Sequence, residues 1–306
     1  MVIRVEHLVK KYKDLTAVND ISFKVKKGEV FAFLGPNGAG KTTTVEILEC
    51  LRNPTSGLAE VLGYDVSDKK GQDEIKARIG VLPQDFSTFD LLDCRENLKY
   101  YAKMYGNDNC DIDGLISLVA LDEKAKSRYK TLSGGLKRRL AIAITLVNDP
   151  EVIFLDEPTS ALDPKARREI WTVIEGLRRK GKTIFLTTHY MEEAQALANN
   201  VCILDRGEIV AEGTPSGLIS RYGGTTNLVL QGDPKDIIKD LPTAGVERLE
   251  DKIKISLKEE DSVRKILGKV SRSSMELERL EITRPSLEDV FLKLTGKRIS
   301  DEGAVH

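Results

Sequence analysis

Three stretches of this chain carry residues whose types and spacing could do chemistry together. Gly35-Pro36-Asn37-Gly38-Ala39-Gly40-Lys41-Thr42 fits the pattern G-x-x-x-x-G-K-[ST]. It lies between the apolar run Val30–Leu34 and a stretch predicted to be helical from Thr42 to Leu51. In that frame, backbone N–H groups converge on phosphate oxygens and the helix N-terminus adds its positive dipole. Lys41 would reach the β- and γ-phosphates, the Thr42 hydroxyl would ligate Mg²⁺, and Thr43 joins the cofactor-binding set. A bare glycine-rich turn is the bland alternative, and the intact strand–loop–helix frame argues against it.

Val152-Ile153-Phe154-Leu155 is a second apolar run, and it ends in two acids, Asp156 and Glu157. Adjacent carboxylates repel each other unless a cation sits nearby. Successive strand residues face opposite sides, so Asp156 can serve a metal while Glu157 faces an attacking water. A helix-capping acid followed by a solvated one would explain the pair equally well alone; beside the glycine-rich loop, the metal-and-base reading wins. Leu132-Ser133-Gly134-Gly135 precedes a helix predicted from Leu136. Serine and two glycines there make a second anion site. Taken alone, an N-cap with a flexible turn is the better reading. A loop offered to another subunit's nucleotide would explain why one chain carries two such sites.

These groups need a scaffold. Ile3–Val5 and Ile21–Val25 alternate as strands, and Lys27-Gly28-Glu29 forms a turn. Val30–Leu34, Val152–Leu155 and Thr183–Thr187 are short apolar strands separated by helical stretches, the mark of a parallel α/β sheet. Residues 86–146 read mainly as helix: Cys94–Tyr105, Ile112–Val119 and Leu136–Val147. Val201–Leu204 and Glu208–Ala211 flank Asp205-Arg206-Gly207 as a hairpin, a helix follows over Pro215–Tyr222, and Gly223-Gly224-Thr225-Thr226 is the best linker. Beyond it, strands at Leu228–Leu230, Val246–Leu249, Lys252–Leu257 and Glu276–Ile282 are predicted, with helices at Lys235–Lys239, Glu260–Val270 and Ser286–Leu294. That order resembles a split βαβ unit.

The chain has 47 Lys plus Arg against 48 Asp plus Glu, a balance that argues against broad nucleic-acid binding. Cys50, Cys94, Cys110 and Cys202 form no CxxC pair and no zinc spacing, so reduced thiols are expected. No leader pattern opens the sequence, and the apolar runs are too short to span a bilayer.

The glycine-rich loop, Leu132–Gly135, Asp156-Glu157, Ser160-Ala161-Leu162-Asp163 and Thr187-Thr188-His189 occur in one order, and over residues 1–222 they resemble the ATP-binding subunits of ABC transporters. The set is far more specific than any member. The ending, and Leu136-Lys137-Arg138-Arg139 after the glycines, look like the drug-resistance and multidrug-export branch. The resemblance implies an α/β fold: a P-loop ATPase core with an antiparallel β subdomain and a helical insertion over residues 1–222, then a small C-terminal α+β accessory domain over 223–306. It implies ATP hydrolysis with Mg²⁺ by a head-to-tail dimer that powers an exporter. Tyr12 takes the place of an aromatic ring stacked on adenine, though a strand-end tyrosine could be only structural. Gln84 matches a glutamine that touches Mg²⁺ and senses the membrane partner, and Asp163 a loop that communicates across the dimer. His189 matches a switch histidine at the γ-phosphate; by itself, a histidine after an apolar strand is more often structural. Ser133, Gly134 and Gly135 would contact the other subunit's ATP. Implied partners are a second ATP-binding subunit, as a homodimer, and permease subunits on a separate chain, with no nucleic acid. The implied location is cytoplasmic, peripheral on the membrane face.

Leu136 departs from the family's usual glutamine, which puts one hydrogen bond in doubt. The basic run 137–139 is expected on a solvated or interface face. An ABC ATPase of DNA maintenance would need a long heptad insertion, one of translation a second cassette, and both are absent. A P-loop kinase or GTPase would leave Ser133–Gly135 and His189 without work.

Overall fold

The computed structural model describes residues 1–231, 245–249, 252–257, 264, 268 and 279–296. The chain divides into two compact units, with the second beginning at Ser216. The division falls at the first turn of the helix Pro215–Tyr222, where the sequence set its linker after that helix.

The first unit opens with β1 (Ile3–Tyr12) and β2 (Leu15–Val25), which pair with β4 (Ser56–Val61) and β5 (Tyr64–Asp65) in an antiparallel sheet of order β2-β1-β4-β5. Its strands alternate between buried and exposed positions, as a sheet covered on one face must. The second sheet holds β3 (Val30–Leu34), β6 (Ile79–Leu82), β7 (Val152–Asp156), β8 (Thr183–Thr188), β9 (Asn200–Asp205) and β10 (Glu208–Gly213), in the order β10-β9-β3-β8-β7-β6. Every pair is parallel except the edge pair β9–β10. β3, β7 and β8 are buried along their whole length, which explains their unbroken apolar runs.

Both faces of this sheet are covered. On one side Phe23 of β2 meets Phe31, Phe33 and Phe185 at ring separations of 5.0–6.1 Å, with α1 (Lys41–Leu48) and α2 (Lys69–Arg78) contributing to the same core. On the other, α3 (Cys94–Met104), α4 (Ile112–Leu118), α5 (Gly134–Ile144), α6 (Pro164–Arg179) and α7 (Met191–Leu197) pack through Leu98, Ile116, Leu140, Ile170 and Leu197. Helices α3 to α5 all lie between the sequence positions of β6 and β7, which are neighbours in the sheet. The chain thus leaves the sheet at Leu82, builds a helical layer, and returns at Val152.

Among the boundaries that differ from the sequence reading, two have a local cause. α1 stops at Leu48, because Cys50 takes a left-handed φ of 58°. α5 begins at Gly134 rather than Leu136, because Ser133 is its N-cap and accepts from the Leu136 amide, so both glycines belong to the first turn.

In the second unit, α8 (Pro215–Tyr222) precedes β11 (Thr226–Gln231), β12 (Gly245–Leu249), β13 (Lys252–Leu257) and β14 (Arg279–Thr283), and α9 (Leu287–Thr295) follows. The sheet order is β12-β13-β11-β14, all antiparallel. β13 lies between β11 and β12, which is what splits a βαβ unit. The helices predicted at 235–239 and 260–270 lie outside the described residues, except Arg264 and Gly268, which are helical. α9 opens with a capping box between Ser286 and Asp289 and buries Leu287, Val290 and Phe291, one face at helical spacing.

Candidate active site

The glycine-rich loop joins β3 to α1 and lines a cleft of about 480 Å³. Pro36, Asn37, Gly38, Gly40, Lys41, Thr42 and Thr43 line it, with Tyr12, Gln84 and Glu157. Gly35 and Ala39 support the loop from behind and are buried. Gly40 has a φ of 101°, and a Cβ there would come within 2.5 Å of the Ala17 carbonyl oxygen, so only glycine fits. Lys41 is 5% exposed, and its Nζ donates to the carbonyls of Gly35 at 2.7 Å and Pro36 at 3.1 Å. Burial pulls its ammonium below the usual range, against the opposing charges of Glu157 and Asp156. Tyr12 is half-buried, with Lys10 Nζ 5.0 Å and the Arg52 guanidinium 5.7 Å from its ring centre.

At the end of β7 the two acids part. Asp156 is buried and accepts a short hydrogen bond from the Thr187 hydroxyl on neighbouring β8. Burial pushes its carboxyl up, and Glu157 adds to that. Glu157 sits at the left-handed φ of 44°, its amide donating to the carbonyl and hydroxyl of Thr187 at 3.1 Å each. Its carboxylate lies 3.8 Å from Lys41 Nζ and 3.2 Å from His189 Nδ1. Burial alone would raise that carboxyl, but His189 and Lys41 outweigh it and hold it below the usual carboxylate range. His189 follows β8 and is buried; apart from the approach of Nδ1 to Glu157, neither ring nitrogen has an aligned hydrogen-bond partner among the described residues. A buried imidazole left this way is set for a ligand. The arrangement gathers an anion cradle, a buried cation, a metal-type acid and an ionised carboxylate: the parts of phosphoryl-transfer chemistry.

The profile of the family described as "ABC transporter" matches residues 18–160, and that of "ATP-binding protein DrrA1-3-like, C-terminal domain" matches residues 213–295. The linearmycin resistance ATP-binding protein LnrL of Bacillus subtilis (strain 168) is 36% identical over 312 residues, covering 98% of this chain and all of that protein. The Nod factor export ATP-binding protein I of Cupriavidus pinatubonensis is 38% identical over 304 residues, covering 95% of this chain and 90% of that protein. This chain is an ATP-binding subunit of the ABC transporter family. Among solved structures, the dimeric post-hydrolysis state of the cassette MJ0796 bound to ADP and Pi aligns with a TM-score of 0.62 at 27% identity, covering 69% of this chain and 98% of that one. CbiO1 from Clostridium perfringens, part of the transporter complex cbiONQ, gives 0.66 at 27% identity, covering 72% and 90%. Like its relatives, this ABC subunit is an ATPase of the export type that binds ATP with Mg²⁺.

The ABC signature stretch Ser133–Gly135 is not part of the cleft around Lys41. Gly134 lines a second cleft of about 300 Å³ with Gln84, Arg138, Glu157, Ser160 and Leu162. Leu136, where the ABC family usually has glutamine, packs against the helical core instead. Asp163 caps α6, accepting from the amides of Lys165 and Ala166 at 3.0 and 2.9 Å.

The basic run after the signature corrects the sequence reading. Lys137 lies 4.8 Å over the Tyr129 ring, and Arg139 pairs with Glu169 at 3.3 Å. Arg138 turns inward and donates to five main-chain carbonyls: Pro83 and Gln84 after β6, Asp156 at the end of β7, and Glu157 and Pro158 after it. Burial pulls its guanidinium down to about 10. One side chain thus ties the signature helix to the backbones of Gln84 and Glu157. Its acceptors carry no side-chain signal, so only its position one turn into an amphipathic helix could have hinted at it.

Proposed function

We propose that two copies of this chain close head to tail around two ATP–Mg²⁺ and, by hydrolysing them, drive export through membrane-spanning subunits on a separate chain. The observation that carries this reading is the buried group at the end of β7, where the Glu157 carboxylate stands between Lys41 and His189 beside the phosphate loop. Tyr12 stacks on adenine. The loop from Gly35 to Thr43 cradles the phosphates through its amides, and Lys41 leaves the loop carbonyls for the β- and γ-phosphates. Thr42, Gln84 and Asp156 would hold Mg²⁺, a hydroxyl, an amide and a carboxylate being the oxygen donors a hard cation takes. There it would supply positive charge against that developing on the transferred phosphoryl group. Glu157, ionised and desolvated, accepts the proton of the attacking water, and His189 donates to a γ-phosphate oxygen. Ser133, Gly134 and Gly135 complete the site of the partner copy.

An exposed apolar patch supports the membrane partner. Phe89 and Leu91 before α3, Tyr100 and Met104 on it and Tyr105 at its C-cap stand open, with Phe89 and Tyr100 edge to face at 4.6 Å. They follow Gln84, so a permease seated there acts on a metal-site residue through a short segment. Among the described residues no helix is long and apolar enough to cross a membrane, so the reading puts the chain on the cytoplasmic face, held by that partner. The names of the relatives, resistance and export, support outward transport.

Light scattering of Glu157→Gln tests the dimer. Mass that doubles only when ATP and Mg²⁺ are added supports the composite site. A monomer at saturating ATP, in the presence of the permease, removes it.

A further inference from the structure

β9 and β10 are joined by only two residues, Arg206 and Gly207, with Asp205 paired to Glu208. Both have positive φ, 51° for Arg206 and 83° for Gly207, the type I′ hairpin geometry. Glycine suits the second position. The first favours Asn, Asp or Gly, and arginine holds that backbone against the crowding of its own Cβ. Among the described residues, no hydrogen bond, ion pair or ring contact engages the exposed Arg206 side chain.

The turn itself is fixed. The Gly207 amide donates to Ala39 O in the phosphate loop at 3.0 Å, and Gly207 O accepts from the Asn19 amide of β2 at 2.8 Å. Arg206 lines the nucleotide cleft with Tyr12, Thr16, Ala17 and Lys41. An unpartnered guanidinium is therefore carried by a strained, anchored turn beside an anion cradle, and strain of this kind gathers at ligand sites.

We infer that Arg206 is a nucleotide-contacting residue that donates a charge-assisted hydrogen bond to a polyphosphate oxygen of the bound nucleotide. It adds a cation that is not in the phosphate-loop motif, at the rim where the nucleotide enters. The inference rests on the nucleotide site proposed above.

The test is Arg206→Asn, which relieves the turn while removing the cation, with Arg206→Lys beside it. Binding of ATP and of inorganic tripolyphosphate is titrated, and Tm is measured without ligand. Arg206→Asn should raise Tm yet weaken both ligands by roughly 5- to 20-fold, and Arg206→Lys should keep part of the affinity. Tm and affinity moving in opposite directions is a result that damage to the fold would not give. Unchanged ATP affinity overturns the inference. Weakened ATP with unchanged tripolyphosphate assigns the guanidinium to the base or ribose and overturns the polyphosphate contact. A wild-type chain that binds neither ligand removes the underlying nucleotide site, and the inference with it.

Discussion

Two glycine-bearing turns open helices in this chain, one before α1 and one before α5, and they differ in what stands behind them. Behind the first lie Lys41, Asp156, Glu157 and His189, all buried, and its Gly40 is locked in a conformation only glycine tolerates. Behind the second stands Arg138, its guanidinium already taken up by five carbonyls. Gly134 there has room to spare: a Cβ would meet only Leu162 Cδ2, at 3.7 Å. Both turns offer amides at a helix N-terminus, but only the first opens on Lys41; the cleft of the second shares Gln84 and Glu157 with it and adds Arg138, whose guanidinium is already taken up. The comparison teaches that a glycine turn becomes an active site through the charges the fold brings behind it. On the proposed head-to-tail closure, the turn before α5 meets the nucleotide held by another copy.

The comparison can be broken most directly at Glu157. Glu157→Gln should slow ATP turnover by about 10²- to 10³-fold while nucleotide affinity stays within about threefold; near-normal turnover would strip the first turn of its base. Lys41→Ala should raise the ATP dissociation constant by roughly tenfold or more, as measured by titration. An unchanged constant would leave the two turns equivalent.

A matched pair of small changes sharpens the contrast. Gly40→Ala forces a clash with the Ala17 carbonyl and a strained φ, so Tm should fall by several degrees and nucleotide binding should fail. Gly134→Ala should leave Tm within about 2 °C of wild type and monomer binding intact, while ATP-driven dimer mass is reduced. Equal stability losses at both positions would contradict the reading.

The smallest effect concerns Glu49, buried at the end of α1. Burial first, then the charges of Asp156 and Glu46, push its carboxyl up to about 8. Unfolded, it titrates near 4.5, so between those values the folded chain holds a proton that the unfolded chain has lost. Stability therefore falls as pH rises through that window. Glu49→Gln, neutral at every pH, should match wild-type Tm near pH 5 and exceed it by roughly 5 °C at pH 8.5. A difference independent of pH would show that Glu49 is charged in the fold.

What could be read from the sequence follows the range of each interaction. The phosphate loop, the strand ending in two acids and the β9–β10 hairpin depend on neighbours within about ten residues, and their patterns were legible. So were the apolar strands β3, β7 and β8, because burial on both faces leaves no polar position. The inward turn of Arg138 was not legible: its acceptors lie 18 to 55 residues away and are main-chain atoms common to every residue. Nor was the start of α5, where Ser133 spends its hydroxyl on the cap and draws both glycines into the helix. The split βαβ arrangement of β11, β12 and β13 was legible from the order of elements, whereas alternation within each strand says nothing of which neighbour it takes.

Arg138 makes its bonds to carbonyl oxygens, so its hold on Gln84 and Glu157 does not depend on what side chains those positions carry. The frame and the chemistry are written in different atoms. Evolution, or an experimenter, can change the reacting groups at the ends of β6 and β7 without loosening the clamp that aligns them. Loosening the clamp, conversely, would disturb Gln84, Asp156 and Glu157 together while altering none of their side chains.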